Sequence, residues 1–226
     1  MNVGVVVFPG SNCDRDMFHV LTDVFHMTPQ YSRHDKPLPE NLDAVVLPGG
    51  FSYGDRLRAG VIAAHSPIIQ DVKKIAEKGI PILGVCNGVQ IFVESGLVPG
   101  VLLKNDSLNF MCEWTNLTVE NNKTPFTNKF ELKEKIPIPI ANGDGRYFVD
   151  DETLKELERK NQIVFKYDQV VNGSSNQIAG VCNEDGNVVG MMPHPERAAE
   201  SEINPHDNKP SSLIFESLLK KIGANN

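Results

Sequence analysis

The sequence has four cysteines and no pattern that gives them a shared task. No C-x-x-C pair occurs and no His/Cys cluster has zinc spacing, so neither a disulfide framework nor a metal site is supported. Long apolar runs are missing too. The N-terminal stretch Asn2 to Phe8 is far too short to span a bilayer, and neither a basic segment nor a small-residue cleavage site accompanies it. The expectation is a cytoplasmic chain in which the sequon Asn116-Leu117-Thr118 is a chance match. Positive charge is in deficit: 22 Lys and Arg against 29 Asp and Glu leave a net charge of -7, which argues against nucleic acid and anionic membrane as partners. Repeats, low-complexity tracts and a G-x-x-x-x-G-K-[ST] nucleotide loop are all lacking. Gly143-Asp144-Gly145 has neither the third glycine nor the strand-to-helix setting of a dinucleotide fingerprint.

What is present reads as one globular domain over residues 1–226, 40 per cent hydrophobic and 23 per cent charged, too short for two catalytic domains. Strands and helices alternate in the first half. Val3 to Phe8 and Asp43 to Leu47 have strand length and composition, and Asp14 can cap a helix with Phe18, Leu21, Val24 and Phe25 inward. Ser66-Pro67 opens another helix, with Ile68, Ile69, Val72 and Ile75 as its stripe up to Gly79. Such alternation implies parallel pairing, with sites at the carboxyl ends of the strands, where Gly10, Gly50 and Cys86 fall. The second half is less regular. Strands are expected over Trp114 to Val119, Ile136 to Ala141 and Gln162 to Tyr167, and a short helix over Glu152 to Arg159. Gln177 to Cys182 and Val188 to Met192 read as a hairpin around Asp185-Gly186, and Ser211 can cap a last helix with Leu213, Ile214, Leu218 and Leu219 inward.

The chain is organised around Ile80 to Gly96, IPILGVCNGVQIFVESG, read as strand, sharp turn and helix with Cys86 at the corner. Val89, Phe92 and Val93 recur at helical spacing and Gly96 suits a left-handed cap. Gly84 and Gly88 stand two residues to either side of the cysteine, the spacing of a nucleophile elbow. A helix start favours the thiolate, and the Asn87 N–H can stabilise an oxyanion. The bland alternative is a buried structural cysteine.

Pro193-His194-Pro195-Glu196 bears on that choice. In an extended chain Glu196 projects to the same side as His194, holding one ring nitrogen while the other faces a nucleophile, as acyl transfer needs. Alone, the tetrapeptide reads more readily as a solvated loop than as part of a triad. Gly49-Gly50-Phe51 supplies a third part: a glycine pair after a strand lets backbone N–H groups approach a substrate, so Gly50 and Asn87 are candidates for an oxyanion hole, with Gly49 and Phe51 lining the substrate site. Its plain reading is a tight turn. Cys13 also precedes an expected helix, but has Ser11 and Arg15 where an elbow has glycine, so it is not expected to be the nucleophile and Cys13→Ser is expected to keep activity.

With elbow, His-x-Glu and glycine pair in place, the chain resembles the class I (triad) glutamine amidotransferases over nearly its whole length. GVCNGVQ matches their G-x-C-x-G-x-Q, and PGG and HPE match two further motifs. FPGSNCDRD, PGGFSYGDRLRAG, NDSLNFMCEW and MMPHPER look more specifically like the glutaminase subunits of phosphoribosylformylglycinamidine synthases, and FSYGDRLRAG is the most discriminating because neither periodicity nor chemistry demands it. The segment Ala141 to Tyr147 departs from the pattern: Asn142 and Asp144 stand where the family commonly has His and Glu, and no role is carried over to them.

The resemblance implies an α/β, flavodoxin-like fold, a mostly parallel central sheet with helices on both faces. It implies L-glutamine as substrate, Cys86 as nucleophile, His194 as base, Glu196 as its partner and Gln90 as a substrate-binding side chain. Partners would be a separate synthetase subunit, carrying ATP and magnesium, and a small accessory subunit, with no cofactor on this chain. A loose Gly49-Gly50 pair would let the oxyanion hole form only on docking. Two other classes stay open at this point. A stand-alone cysteine hydrolase of γ-glutamyl compounds or peptides would not need FSYGDRLRAG, and a non-catalytic flavodoxin-like binding module would need none of the three motifs.

Overall fold

The computed structural model describes residues 1–206 and 209–223. Its strands are β1 (Asn2–Val7), β2 (Thr28–Arg33), β3 (Ala44–Leu47), β4 (Ile82–Val85), β5 (Val101–Leu103), β6 (Met111–Val119), β7 (Lys135–Asn142), β8 (Arg146–Phe148), β9 (Ile163–Tyr167), β10 (Ile178–Cys182) and β11 (Val188–Met191). The α-helices are α1 (Asp14–His19), α2 (Val61–Ala64), α3 (Pro67–Glu77), α4 (Asn87–Ser95), α5 (Asp151–Arg159) and α6 (Lys209–Gly223). A nine-stranded sheet runs β2-β1-β3-β4-β11-β10-β9-β6-β7, and β5 pairs with β8 apart from it. From β2 to β11 neighbouring strands are parallel, in the order of a flavodoxin-like sheet, and the hairpin β11-β10 begins an antiparallel extension. Among the described residues no helix is long and apolar enough to cross a membrane.

Burial explains which segments could be read beforehand. β3, β4 and β11 are buried along their whole length, so their apolar runs announce them. β2 escapes such reading because it is a sheet edge whose residues are mostly exposed, with Ser32 as its buried position. The expected α1 is shorter than its apolar stripe, since the chain widens into a π-helical turn at Val20–Val24. Its cap also differs: Cys13, not Asp14, is the N-cap residue. Ser66 has the backbone of a cap before Pro67, but makes no capping bond and has the Tyr53 hydroxyl 3.4 Å from its own. Ser211 lies inside α6, where its hydroxyl donates to the Pro137 carbonyl (2.9 Å) and ties the helix to β7.

Candidate active site

Four loops leave the same edge of the sheet because β1, β3, β4 and β11 are parallel neighbours. They carry Gly10 to Cys13, Gly49-Gly50, Cys86 and His194, so one end of the sheet collects the sequence-predicted triad and glycine pair.

Cys86 lies between β4 and α4 at φ 50° and ψ -104°, backbone that a side chain rarely adopts. The corner is held from several directions. Its N–H donates to the Met191 carbonyl (2.8 Å), and its carbonyl accepts from Val89 and Gln90 (3.1 and 3.2 Å). The flanking glycines answer to neighbours rather than to the turn itself: a Cβ on Gly84 would stand 2.4 Å from the Phe92 ring, and one on Gly88 2.1 Å from the Leu47 carbonyl oxygen. The Cys86 thiol donates to the Ala141 carbonyl at 3.6 Å.

His194 and Glu196 are each 1 % exposed, and Nδ1 meets Glu196 Oε1 at 2.6 Å. The pairing is as the sequence suggests but its cause is not. Pro195–Arg197 form a 3-10 turn rather than an extended strand, and that turn brings the carboxylate beside the ring. The His194 N–H also donates to the Pro139 carbonyl (2.9 Å), anchoring the loop on β7. Burial opposes a charge on this imidazole, yet the Glu196 carboxylate and the sulfurs of Cys86 and Cys13 outweigh it and hold its pKa well above the usual histidine range. A proton acceptor for a thiol needs that bias. Among the described residues Nε2 has no hydrogen-bond partner.

Gly49 is where these groups meet. A Cβ there would lie 2.8 Å from His194 Cε1, 3.0 Å from Cys13 Sγ and 3.4 Å from Cys86 Cβ, so only glycine leaves the base and the two cysteines their approach. The glycine pair is tied to the loop that follows β1. Asn12 and Cys13 N–H groups donate to the Gly49 carbonyl (3.4 and 3.2 Å), and Phe51 N–H donates to Gly10 (2.9 Å). Gly50 presses against the same strap, where a Cβ would be 2.7 Å from Ser11 Cα.

At the start of α4 the Asn87 N–H is among those with no intrahelical acceptor, which leaves it available to an anion. The Asn87 side chain accepts from Ser52 N–H (3.2 Å) and donates to Gln90 Oε1 (2.9 Å), while Gln90 Nε2 donates to the Asp144 carbonyl (2.8 Å). Gln90 thus ties α4 to the 141–147 segment through Nε2, while its Oε1 is held by Asn87 within the helix. Phe51 is 45 % exposed, its ring centroid 6.5 Å from that of Phe110. The segment that departs from the family pattern contributes mainly backbone: the carbonyls of Ala141, Asn142 and Asp144 accept from Cys86, Asn105 and Gln90. Main-chain acceptors survive a change of side chain, which is how Asn142 and Asp144 fit here.

Sequence reasoning missed two neighbours. Cys13 touches the His194 environment from the β1 loop, and Asp55 sits in a tight turn with Tyr53, Gly54 and Asp55 all at positive φ. Burial and the nearby Asp144 push the Asp55 carboxyl up to about 6. That turn belongs to FSYGDRLRAG, whose excess of detail over periodicity was the available signal.

Residues 1–220 match the family described as CobB/CobQ-like glutamine amidotransferase domain. A chain in the structure of PurLQS from Thermotoga maritima is 48% identical, with a TM-score of 0.88 over 98% of this chain and 98% of that one. A glutamine amidotransferase from Thermotoga maritima shares 17% identity with a TM-score of 0.62, covering 98% of this chain and 97% of that one, a likeness of fold.

Proposed function

The chain belongs to the CobB/CobQ-like glutamine amidotransferase family, and from that premise we propose that it is the glutaminase subunit of a phosphoribosylformylglycinamidine synthase, supplying ammonia for purine biosynthesis. The observation that carries the reading is the 48% identity over 98% of both chains with a component of PurLQS. In the proposed reaction His194 takes the Cys86 proton, and the thiolate attacks the side-chain carboxamide of L-glutamine. The oxyanion of the tetrahedral intermediate is stabilised by the N–H groups of Asn87 and Gly50, with Gly49, Phe51 and Gln90 around the substrate. His194 returns the proton to the leaving ammonia, a γ-glutamyl thioester remains on Cys86, and water activated by His194 hydrolyses it to glutamate. Glu196 fixes the ring tautomer and stabilises the imidazolium.

The partner under this reading is a synthetase subunit holding ATP and magnesium, joined by a small accessory subunit, all in the cytoplasm. That this chain covers 98% of the matching chain of PurLQS supports a separate synthetase. A glutaminase running alone would waste glutamine, so the isolated chain is expected to turn over slowly. Reconstitution tests this. Cys86→Ala should remove glutamine-dependent amidination by at least about 10⁴-fold while the complex still works with ammonium salts. Loss of both activities in a properly assembled complex, or full turnover by the isolated chain unchanged by the partner, would refute the subunit reading.

A further inference from the structure

Cys13 is buried, 3 % exposed, and belongs to neither the elbow nor the His194–Glu196 pair. Its thiol donates to Asn12 Oδ1 (3.2 Å) and accepts from Arg197 Nη2 (3.1 Å), while Arg197 Nε is held by Asp16 Oδ2 (3.2 Å) on α1. Its N–H bonds to the Gly49 carbonyl (3.2 Å). Cys13 Sγ, an imidazole nitrogen of His194 and a carboxylate oxygen of Glu196 all lie within 4.8 Å of one another. One residue therefore joins the Gly49-Gly50 loop through its main chain and meets the base through its sulfur.

We propose that Cys13 is a positioning residue for the base, its neutral thiol holding the His194 imidazole beside Gly49 so that Nε2 faces Cys86. Glu196 grips Nδ1 alone, and a ring gripped at one nitrogen still pivots about that bond. A second contact on the Gly49 side removes the pivot. Burial outweighs the influence of His194 and raises the Cys13 pKa, so the thiol keeps its proton and does not rival Cys86 as an anion. The Cys13 sulfur also accepts the Arg197 guanidinium, which places a neutral atom between that cation and the imidazolium formed during the reaction.

The kinetic consequence rests on the glutaminase reading, and a chemical one does not. Cys13→Ala should slow single-turnover acylation by about 3- to 10-fold, as the loss of one packing contact on the ring would do, with substrate affinity unchanged. Cys13→Ser, which keeps a donor and an acceptor, should recover the rate to within about 2-fold. Cys13→Val carries the alanine expectation should the alanine variant fail to fold. Independently of glutamine, iodoacetamide alkylation at Cys86, followed by peptide mass spectrometry against pH, should have its midpoint displaced to higher pH in Cys13→Ala and not in Cys13→Ser. The sign follows because the Cys13 contact favours the protonated ring that accepts the Cys86 proton. A folded alanine or valine variant with the wild-type rate and midpoint, or a serine variant as impaired as alanine, would overturn the proposal. A displaced midpoint in a protein that does not hydrolyse glutamine would instead uphold the positioning role and sink the functional reading.

Discussion

Two strand-to-helix corners of this molecule place a cysteine at the N-cap of a helix, and they are built differently. At the β4–α4 corner Cys86 is held at φ 50° and ψ -104° between two glycines; at the β1–α1 corner Cys13 rests at φ -95° and ψ 7° between ordinary residues. Both sulfurs are near His194 and both are buried. What separates them is backbone. The strained corner survives because β11 binds its N–H, while the Phe92 ring and the Leu47 carbonyl leave no room for side chains at Gly84 and Gly88. A helix start near a histidine is therefore not enough to identify a nucleophile. The surrounding elements must also enforce the turn that presents it.

The base should show the largest effect on this contrast. His194→Ala is expected to lower glutamine hydrolysis by about 10²- to 10⁴-fold, the usual contribution of positioned acid-base transfer, and Glu196→Gln by less, since it only orients the ring. Single-turnover rates with binding measured separately decide the order. A Glu196→Gln variant at the wild-type rate would remove that residue from the triad.

Gly88→Ala sharpens the comparison from the packing side. Its methyl would enter a space 2.1 Å from the Leu47 carbonyl oxygen, so denaturant unfolding should show a loss of about 1 to 3 kcal/mol, the usual cost of overpacking. The change at the matching position of the relaxed corner, Arg15→Ala, should cost less. Equal costs would mean that the elbow is not specially constrained.

The smallest effect concerns Asp55. A carboxyl whose pKa rises on folding contributes stability that is complete below its unfolded value, about 4, and is lost as pH climbs through its folded value, here pushed up to about 6. Asp55→Asn should erase that step, leaving stability flatter across this interval than in the wild type. Parallel unfolding curves for both proteins at pH 4 to 7 would show that the carboxyl is not strained by burial and Asp144.

Local chemistry made much of this legible in the sequence. The elbow, the PHPE turn and the glycine pair are short patterns whose spacing states their geometry, and fully buried strands such as β3 and β4 announce themselves by composition. Long-range approach was not legible. Nothing near Cys13 states that the loops after β1 and β11 converge on Gly49, so its meeting with His194 appears only once the sheet order is known. The polar edge strand β2 and the bond from the Gln90 amide to the Asp144 carbonyl fail to show for the same reason: each depends on what lies across from it.

The most direct test of the account is to treat the assembled complex with a glutamine-mimicking affinity reagent and map the adduct by peptide mass spectrometry. The account predicts one adduct, on Cys86, formed at the rate at which glutamine-dependent activity disappears and blocked by glutamine. An adduct on Cys13 with Cys86 unmodified would contradict it.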